Sequence, residues 1–125
     1  MNNTKLEILW VDDNPQFVER MISLLGENNE AISLQVAGSC EEAWNYLVHA
    51  LPDLVLLDIN LPDKSGIELL GMINASGMSC PVIVISNHDN EFYRKKCEEL
   101  GAIHFLDKSS DFGLLPILIE QIARS

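Results

Sequence analysis

Five side chains of this sequence could do chemistry together: the adjacent carboxylates Asp12 and Asp13, the lone carboxylate Asp58, the hydroxyl of Ser86 and the ammonium of Lys108. Each has an ordinary explanation on its own. An Asp-Asp pair ahead of a helix commonly serves as a cap, and Asp58, Ser86 and Lys108 are residue types that favour turns and surfaces. Brought into one site, three carboxylates repel one another, and the site is costly unless a cation resides in it. Oxygen-only donors with room for water suit Mg²⁺ better than zinc or a soft metal. A calcium EF-hand fits poorly: a loop opening at Asp58 would put Pro62 and Asp63 where a ligand and a glycine belong, and Leu69 in place of the closing Glu. Walker A and dinucleotide glycine fingerprints are absent from the sequence, as are serine-hydrolase signals.

Convergence of these residues depends on the elements that carry them. Residues 6–11 form a short apolar run that meets Asp12-Asp13-Asn14-Pro15, and Pro15 suits the first turn of a helix. Phe17, Met21, Leu24 and Leu25 then recur at helical spacing until 26–29 (Gly-Glu-Asn-Asn) breaks the pattern. A second strand is expected at 32–37. The helix after it has apolar positions Ala43, Trp44, Leu47, Val48 and Leu51, with Pro52 as its stop. Residues 54–57 are apolar without alternation, as in a strand buried on both faces, and they end at Asp58. A helix carrying Ile67, Leu70 and Ile73 leads to the similar run 82–85, which ends at Ser86. Phe92, Tyr93, Cys97 and Leu100 mark a fourth helix capped by Gly101, and the strand 103–106 precedes Lys108. The last helix places Leu115, Leu118, Ile119 and Ile122 on one face, with Asp111 as its expected N-cap and Pro116 in its first turn.

Five strands alternating with five helices predict an α/β fold: a doubly wound, five-stranded parallel sheet covered on both sides. In such sheets ligands bind beyond the C-terminal strand ends, near the point where strand order reverses. Three of the five expected strand ends carry the ionisable residues Asp12-Asp13, Asp58 and Lys108, and Ser86 ends a fourth. Their shared placement, rather than any one of them, points to a site.

The 125 residues suffice for one core without disulfides, and no linker, repeat or low-complexity tract divides them. No apolar run reaches the roughly 20 residues of a membrane span, and the N-terminus lacks a signal-peptide pattern, so a cytoplasmic protein is expected. A net charge of −11 opposes binding to nucleic acid. Cys40, Cys80 and Cys97 are odd in number and have no metal-site or redox spacing, so they are expected to be reduced thiols.

At these positions the chain resembles the receiver domain of two-component response regulators over nearly its whole length. The matching residues are Asp12-Asp13, the stretch 58–66 (Asp-Ile-Asn-Leu-Pro-Asp-Lys-Ser-Gly), Ser86, Phe105 and Lys108. The resemblance implies the flavodoxin-like receiver topology for residues 1–125, read as a single receiver domain with no output domain. It also implies that Asp58 receives phosphate from a sensor histidine kinase or a histidine phosphotransfer domain. Asp12, Asp13, Asp58 and the backbone carbonyl of Asn60 would hold Mg²⁺, while Lys108 and Ser86 would contact the phosphoryl oxygens. Ser86 and Phe105 would form the switch, and the face built from the fourth helix, fifth strand and fifth helix would dock a downstream protein. That face carries Tyr93, Lys96, His104 and Phe105.

Such a chain is a signalling phosphoacceptor that catalyses only its own phosphorylation and dephosphorylation, as a monomer or a phosphorylation-dependent dimer. The alternative is a receiver-like interaction module not controlled by phosphorylation. An Asp-nucleophile phosphatase or a flavodoxin fits less well, because no Asp-x-Asp motif or hydroxyl-rich phosphate loop follows the first strand. Two residues depart from the family pattern. Ser109 stands where a proline with a cis bond is usual, so either the loop holds a strained bond or it takes another path. Asn87 stands where a very small residue is favoured, and with Asn60 and His88 it is expected to tune the lifetime of the phosphorylated state.

Overall fold

Alternating burial on two faces of one sheet organises the chain. The computed structural model describes residues 5–25, 31–87 and 91–124. The elements in order are β1 (Leu6–Val11), α1 (Pro15–Leu25), β2 (Ile32–Ala37), α2 (Cys40–Leu47), β3 (Leu54–Asp58), α3 (Gly66–Ser76), β4 (Val82–Ser86), α4 (Glu91–Glu99), β5 (His104–Asp107), a 3-10 turn (Phe112–Leu114) and α5 (Leu115–Ala123). All strand pairs are parallel, in the order β2-β1-β3-β4-β5. The expected doubly wound sheet is therefore present, with its order reversing between β1 and β3.

Period-2 alternation explains the unbroken apolar runs. Ile8, Trp10, Leu54, Leu56, Ile83 and Ile85 join a core with Phe17 and Met21 of α1 and Leu115 and Ile119 of α5. Leu9, Val11, Val55, Leu57, Val82 and Val84 face the other way, onto Ala43, Leu70 and Cys97 from α2, α3 and α4. Both faces of the central strands β3 and β4 are covered, so neither carries a polar residue before its last position, Asp58 or Ser86.

Several expectations need correction. Helix α2 stops at Leu47 rather than at Pro52, and Val48 and Leu51 are 50% and 51% exposed. The amides of His49 and Ala50 both bond the Tyr46 carbonyl, so the chain winds off the helix there. Phe92 is 69% exposed although Tyr93 and Cys97 face the core. Five residues before Cys97, it lies about 140° round the helix from it. Strand β5 begins at His104, one residue later than expected, leaving Ile103 exposed. Pro116 does lie in the first turn of α5, but Asp111 makes no capping bond; its Oδ2 accepts from the Asp107 amide at 2.9 Å. The break expected at 26–29 lies outside the described residues.

All three cysteines are free thiols, as expected. Burial pushes the Cys80 thiol up to about 11, and its Sγ lies 3.4 Å from the Pro52 carbonyl oxygen. Only the thiolate alkylates, so at pH 8 Cys80 should react with iodoacetamide on the order of 200-fold more slowly than an ordinary thiol near 8.5. Its rate should climb about tenfold per pH unit until about 11. A plateau by pH 9 in a mass-resolved alkylation series would refute this.

Candidate functional site

The strand order places the ends of β1 and β3 side by side, with β5 reaching across from beyond β4. Asp12 extends the β1 ladder through its amide to the Ala37 carbonyl at 2.9 Å. It is 2% exposed, and its Oδ1 accepts from the Asn14 amide at 2.9 Å. The α1 cap is Asn14, whose Oδ1 accepts from the amides of Gln16 and Phe17. That leaves Asp12 and Asp13 for the pocket instead of the helix.

Asp58, 3% exposed at the end of β3, accepts from the Asn60 amide on Oδ1 at 3.1 Å and from Lys108 Nζ on Oδ2 at 3.0 Å. The ammonium also stands 2.9 Å from Asp12 Oδ2. This second contact is ionic without hydrogen-bond alignment, so the buried Asp12 Oδ2 has no hydrogen-bond donor. Oxygens of Asp12, Asp13 and Asp58 all lie within 4.8 Å of one another. Burial holds the Asp58 carboxyl above the usual carboxylate range; the Lys108 bond and charge and the Asn60 amide oppose that, and the Asp12 charge adds to it.

Three carboxylates against one ammonium leave a deficit of two positive charges, the complement of a divalent cation. The hard oxygen donors and the unsatisfied Asp12 Oδ2 fit Mg²⁺. This acidic triad is typical of the magnesium site of receiver domains.

Lys108 reaches the pocket without the usual proline. No cis peptide bond occurs among the described residues. With a serine at 109 an amide is available, and Asp107 Oδ1 accepts from the amides of Ser109 and Ser110 at 2.7 and 3.0 Å. That turn, with the Lys108 amide on the Ser86 carbonyl at 3.0 Å, aims the side chain inward. The loop takes another path, as the second of the two expected possibilities had it.

Ser86 is buried at the end of β4, one residue beyond Ile85, which pairs with Asp58. Phe105 pairs with Val84 and lies in the core beneath Arg94, whose guanidinium carbon is 4.8 Å from the ring centroid. Arg94 Nη1 also donates to the Phe105 carbonyl at 3.1 Å. Asn60 and Asn87 are exposed, and His88 lies outside the described residues.

Three features escaped the sequence reading. Asp63 binds the N-terminus of α2, accepting from the Cys40 and Glu41 amides at 2.9 Å, which ties the β3–α3 loop to its neighbour and holds its carboxyl below the usual range. Gly66 packs so closely that an added Cβ would lie 2.2 Å from the Asp58 carbonyl oxygen. The ring of Phe17 lies beneath Lys108, 4.4 Å from Nζ to the centroid. The Asp63 and Phe17 contacts have no local signal, because their partners lie far away in the chain, whereas Gly66 closes the 58–66 stretch and meets Asp58 only eight residues before it.

Residues 8–120 match the model of the response regulator receiver domain. The chain belongs to that family. A receiver is a signalling phosphoacceptor module of two-component systems and implies a histidine kinase partner. The chain is 34% identical over 122 residues to a protein-glutamate methylesterase/protein-glutamine glutaminase of Caldanaerobacter subterraneus subsp. tengcongensis, covering 95% of this chain and 32% of that protein. It is 32% identical over 103 residues to the transcriptional activator ExaE of Pseudomonas putida, covering 82% and 48%. This receiver thus spans about half or less of the curated relatives it matches. The phosphorylated cyanobacterial phytochrome response regulator RcpA superimposes with a TM-score of 0.82 at 26% identity, covering 95% of this chain and 91% of that one. No helix among the described residues is long and apolar enough to cross a membrane.

Proposed function

We propose that Asp58 is the phosphoacceptor of a cytoplasmic switch that takes its phosphoryl group from a sensor histidine kinase or a histidine phosphotransfer domain. The single observation carrying this is the joint hold on Asp58: one carboxylate oxygen is bonded by Lys108 and the other by the Asn60 amide, beside two further carboxylates. An Asp58 oxygen attacks phosphorus, the P–N bond to the donor imidazole breaks, and the electron pair stays on that ring nitrogen, which takes up a proton. The product is an acyl phosphate on Asp58. Lys108 pairs with phosphoryl oxygens as a point charge, and the Ser86 hydroxyl donates to one of them. Magnesium, held by Asp12, Asp13, Asp58 and the Asn60 carbonyl, screens the repulsion between carboxylate and phosphoryl when bound.

Output passes through the α4–β5–α5 face. Ser86 turning toward the phosphoryl group frees space for Phe105, and exposed Lys96 and His104 line the partner surface. We read residues 1–125 as one receiver unit, supported by the single sheet and the family match over 8–120. Asn60, Asn87 and His88 tune the acyl-phosphate lifetime.

Incubation with acetyl phosphate and Mg²⁺, followed by intact mass measurement, tests the assignment. We expect a gain of one phosphoryl group that EDTA abolishes and that borohydride reduction maps to position 58. Decay of the same mass peak, compared between the wild type and Asn60→Ala, reads the tuning role. No gain, or a gain mapping elsewhere, ends the reading and leaves an interaction module independent of phosphate.

A further inference from the structure

We infer that Phe17 is a positioning residue whose ring face holds the Lys108 ammonium at the acidic pocket. Its kinetic consequence rests on the phosphoacceptor reading above. An ammonium has three N–H donors. Here the Lys108 nitrogen meets Asp58 Oδ2 at 3.0 Å and Asp12 Oδ2 at 2.9 Å, and the Phe17 centroid lies 4.4 Å away, well inside the reach of a cation–π contact. The ring does not wander. Phe17 is buried, with Trp10 tilted against it at 5.7 Å and Phe112 edge-on at 4.9 Å, and Arg20 covers Phe112 from the solvent side at 4.9 Å.

The chemistry of the pocket explains why an aromatic ring serves here. Asp12 and Asp58 attract the ammonium, but both are needed for other partners: Asp58 carries the phosphoryl group and Asp12 offers oxygens to a cation. An ammonium held only by those oxygens would drift as they change partners. The face of Phe17 attracts a cation with no net charge and no oxygen, so it competes for neither phosphoryl nor metal. Preorganised charge is worth most where water is excluded, and Lys108 is only 7% exposed.

Fluorination of the ring separates this role from packing. Phenylalanine analogues carrying one, two and three fluorines at position 17 keep the ring's shape while draining electron density from its face. We expect the initial rate of phosphorylation by acetyl phosphate to fall stepwise along the series. The trifluoro ring and Phe17→Leu should be slower by roughly 3- to 30-fold. In EDTA and without a phosphoryl donor, exchange of the Lys108 ammonium protons, followed by ¹H–¹⁵N NMR, should quicken in the same order. A purely structural role predicts flat rates and flat exchange across the fluorinated rings, and that result overturns the inference even if Phe17→Leu fails to fold. Should the wild type take up no phosphoryl group, the phosphoacceptor reading falls separately, while the ammonium exchange still decides whether the ring holds Lys108.

Discussion

Lys108→Ala should abolish phosphoryl uptake and lower stability by about 3–5 kcal/mol, the range for breaking a buried ion pair from one side. The side chain is buried between Asp12 and Asp58, whose own side chains are 0% and 4% exposed. Removing the cation leaves two carboxylates facing each other with no counter-charge, at a place water hardly reaches. The Asp58 carboxyl, already held up by burial, loses its two largest opposing influences, the Lys108 hydrogen bond and the Lys108 charge. A carboxyl raised in the folded state binds a proton more readily folded than unfolded. Stability of the variant should therefore fall as pH rises above the ordinary value of 3.8 and recover as pH is lowered back toward it. Asp58→Asn removes the phosphoacceptor but also one of the crowded charges, so it should lose uptake and keep its fold. Urea unfolding in EDTA at several pH values, run beside intact mass measurements, separates the two variants. Equal stability of Lys108→Ala and wild type at pH 7 would show that the ammonium does not hold the pocket together.

Gly66→Ala should be the second large perturbation, through geometry alone. An alanine Cβ would sit 2.2 Å from the Asp58 carbonyl oxygen and 2.9 Å from the Ile59 Cα, both backbone atoms, so no flexible side chain can give way. The segment is held by the Gly66 amide on the Ile59 carbonyl at 2.7 Å and by the Asn60–Ser65 bridge. Relief requires moving the backbone of Asp58 itself, by on the order of 1 Å, and displacements of that size cost about 100-fold in rate at a reacting centre. Overpacking of this kind also costs about 3 kcal/mol. Gly71 lies in the same helix, and a Cβ there meets nothing within 4 Å. Gly71→Ala should therefore gain about 0.5–1 kcal/mol from helix propensity and phosphorylate normally. Urea midpoints and phosphorylation rates of the pair check both statements, and wild-type rates in Gly66→Ala would refute the close approach.

The sequence by itself determined the βα alternation and the polar residues that end the strands. Strands buried on both faces have to be written as continuous apolar runs, so 54–57 and 82–85 announced themselves, and Asp58 and Ser86 stood out as their terminators. Helical period located α1 and the late start of α5, where Pro116 occupies the first turn. The same period overran the end of α2 and misjudged Phe92, because it records spacing along one helix and not what the neighbouring elements cover. Tertiary structure alone decided how the strand ends meet. With β1 beside β3, and the turn at 107–110 aiming Lys108 inward, residues 50 apart in the chain come within a hydrogen bond. The Asp63 tie to α2 and the ring beneath Lys108 depend on the same long-range docking, whereas the glycine packed against Asp58 closes a turn within residues 58–66. Local pattern reports which face of an element is apolar, whereas contacts between distant side chains exist only once the sheet has set the order and spacing of its strands.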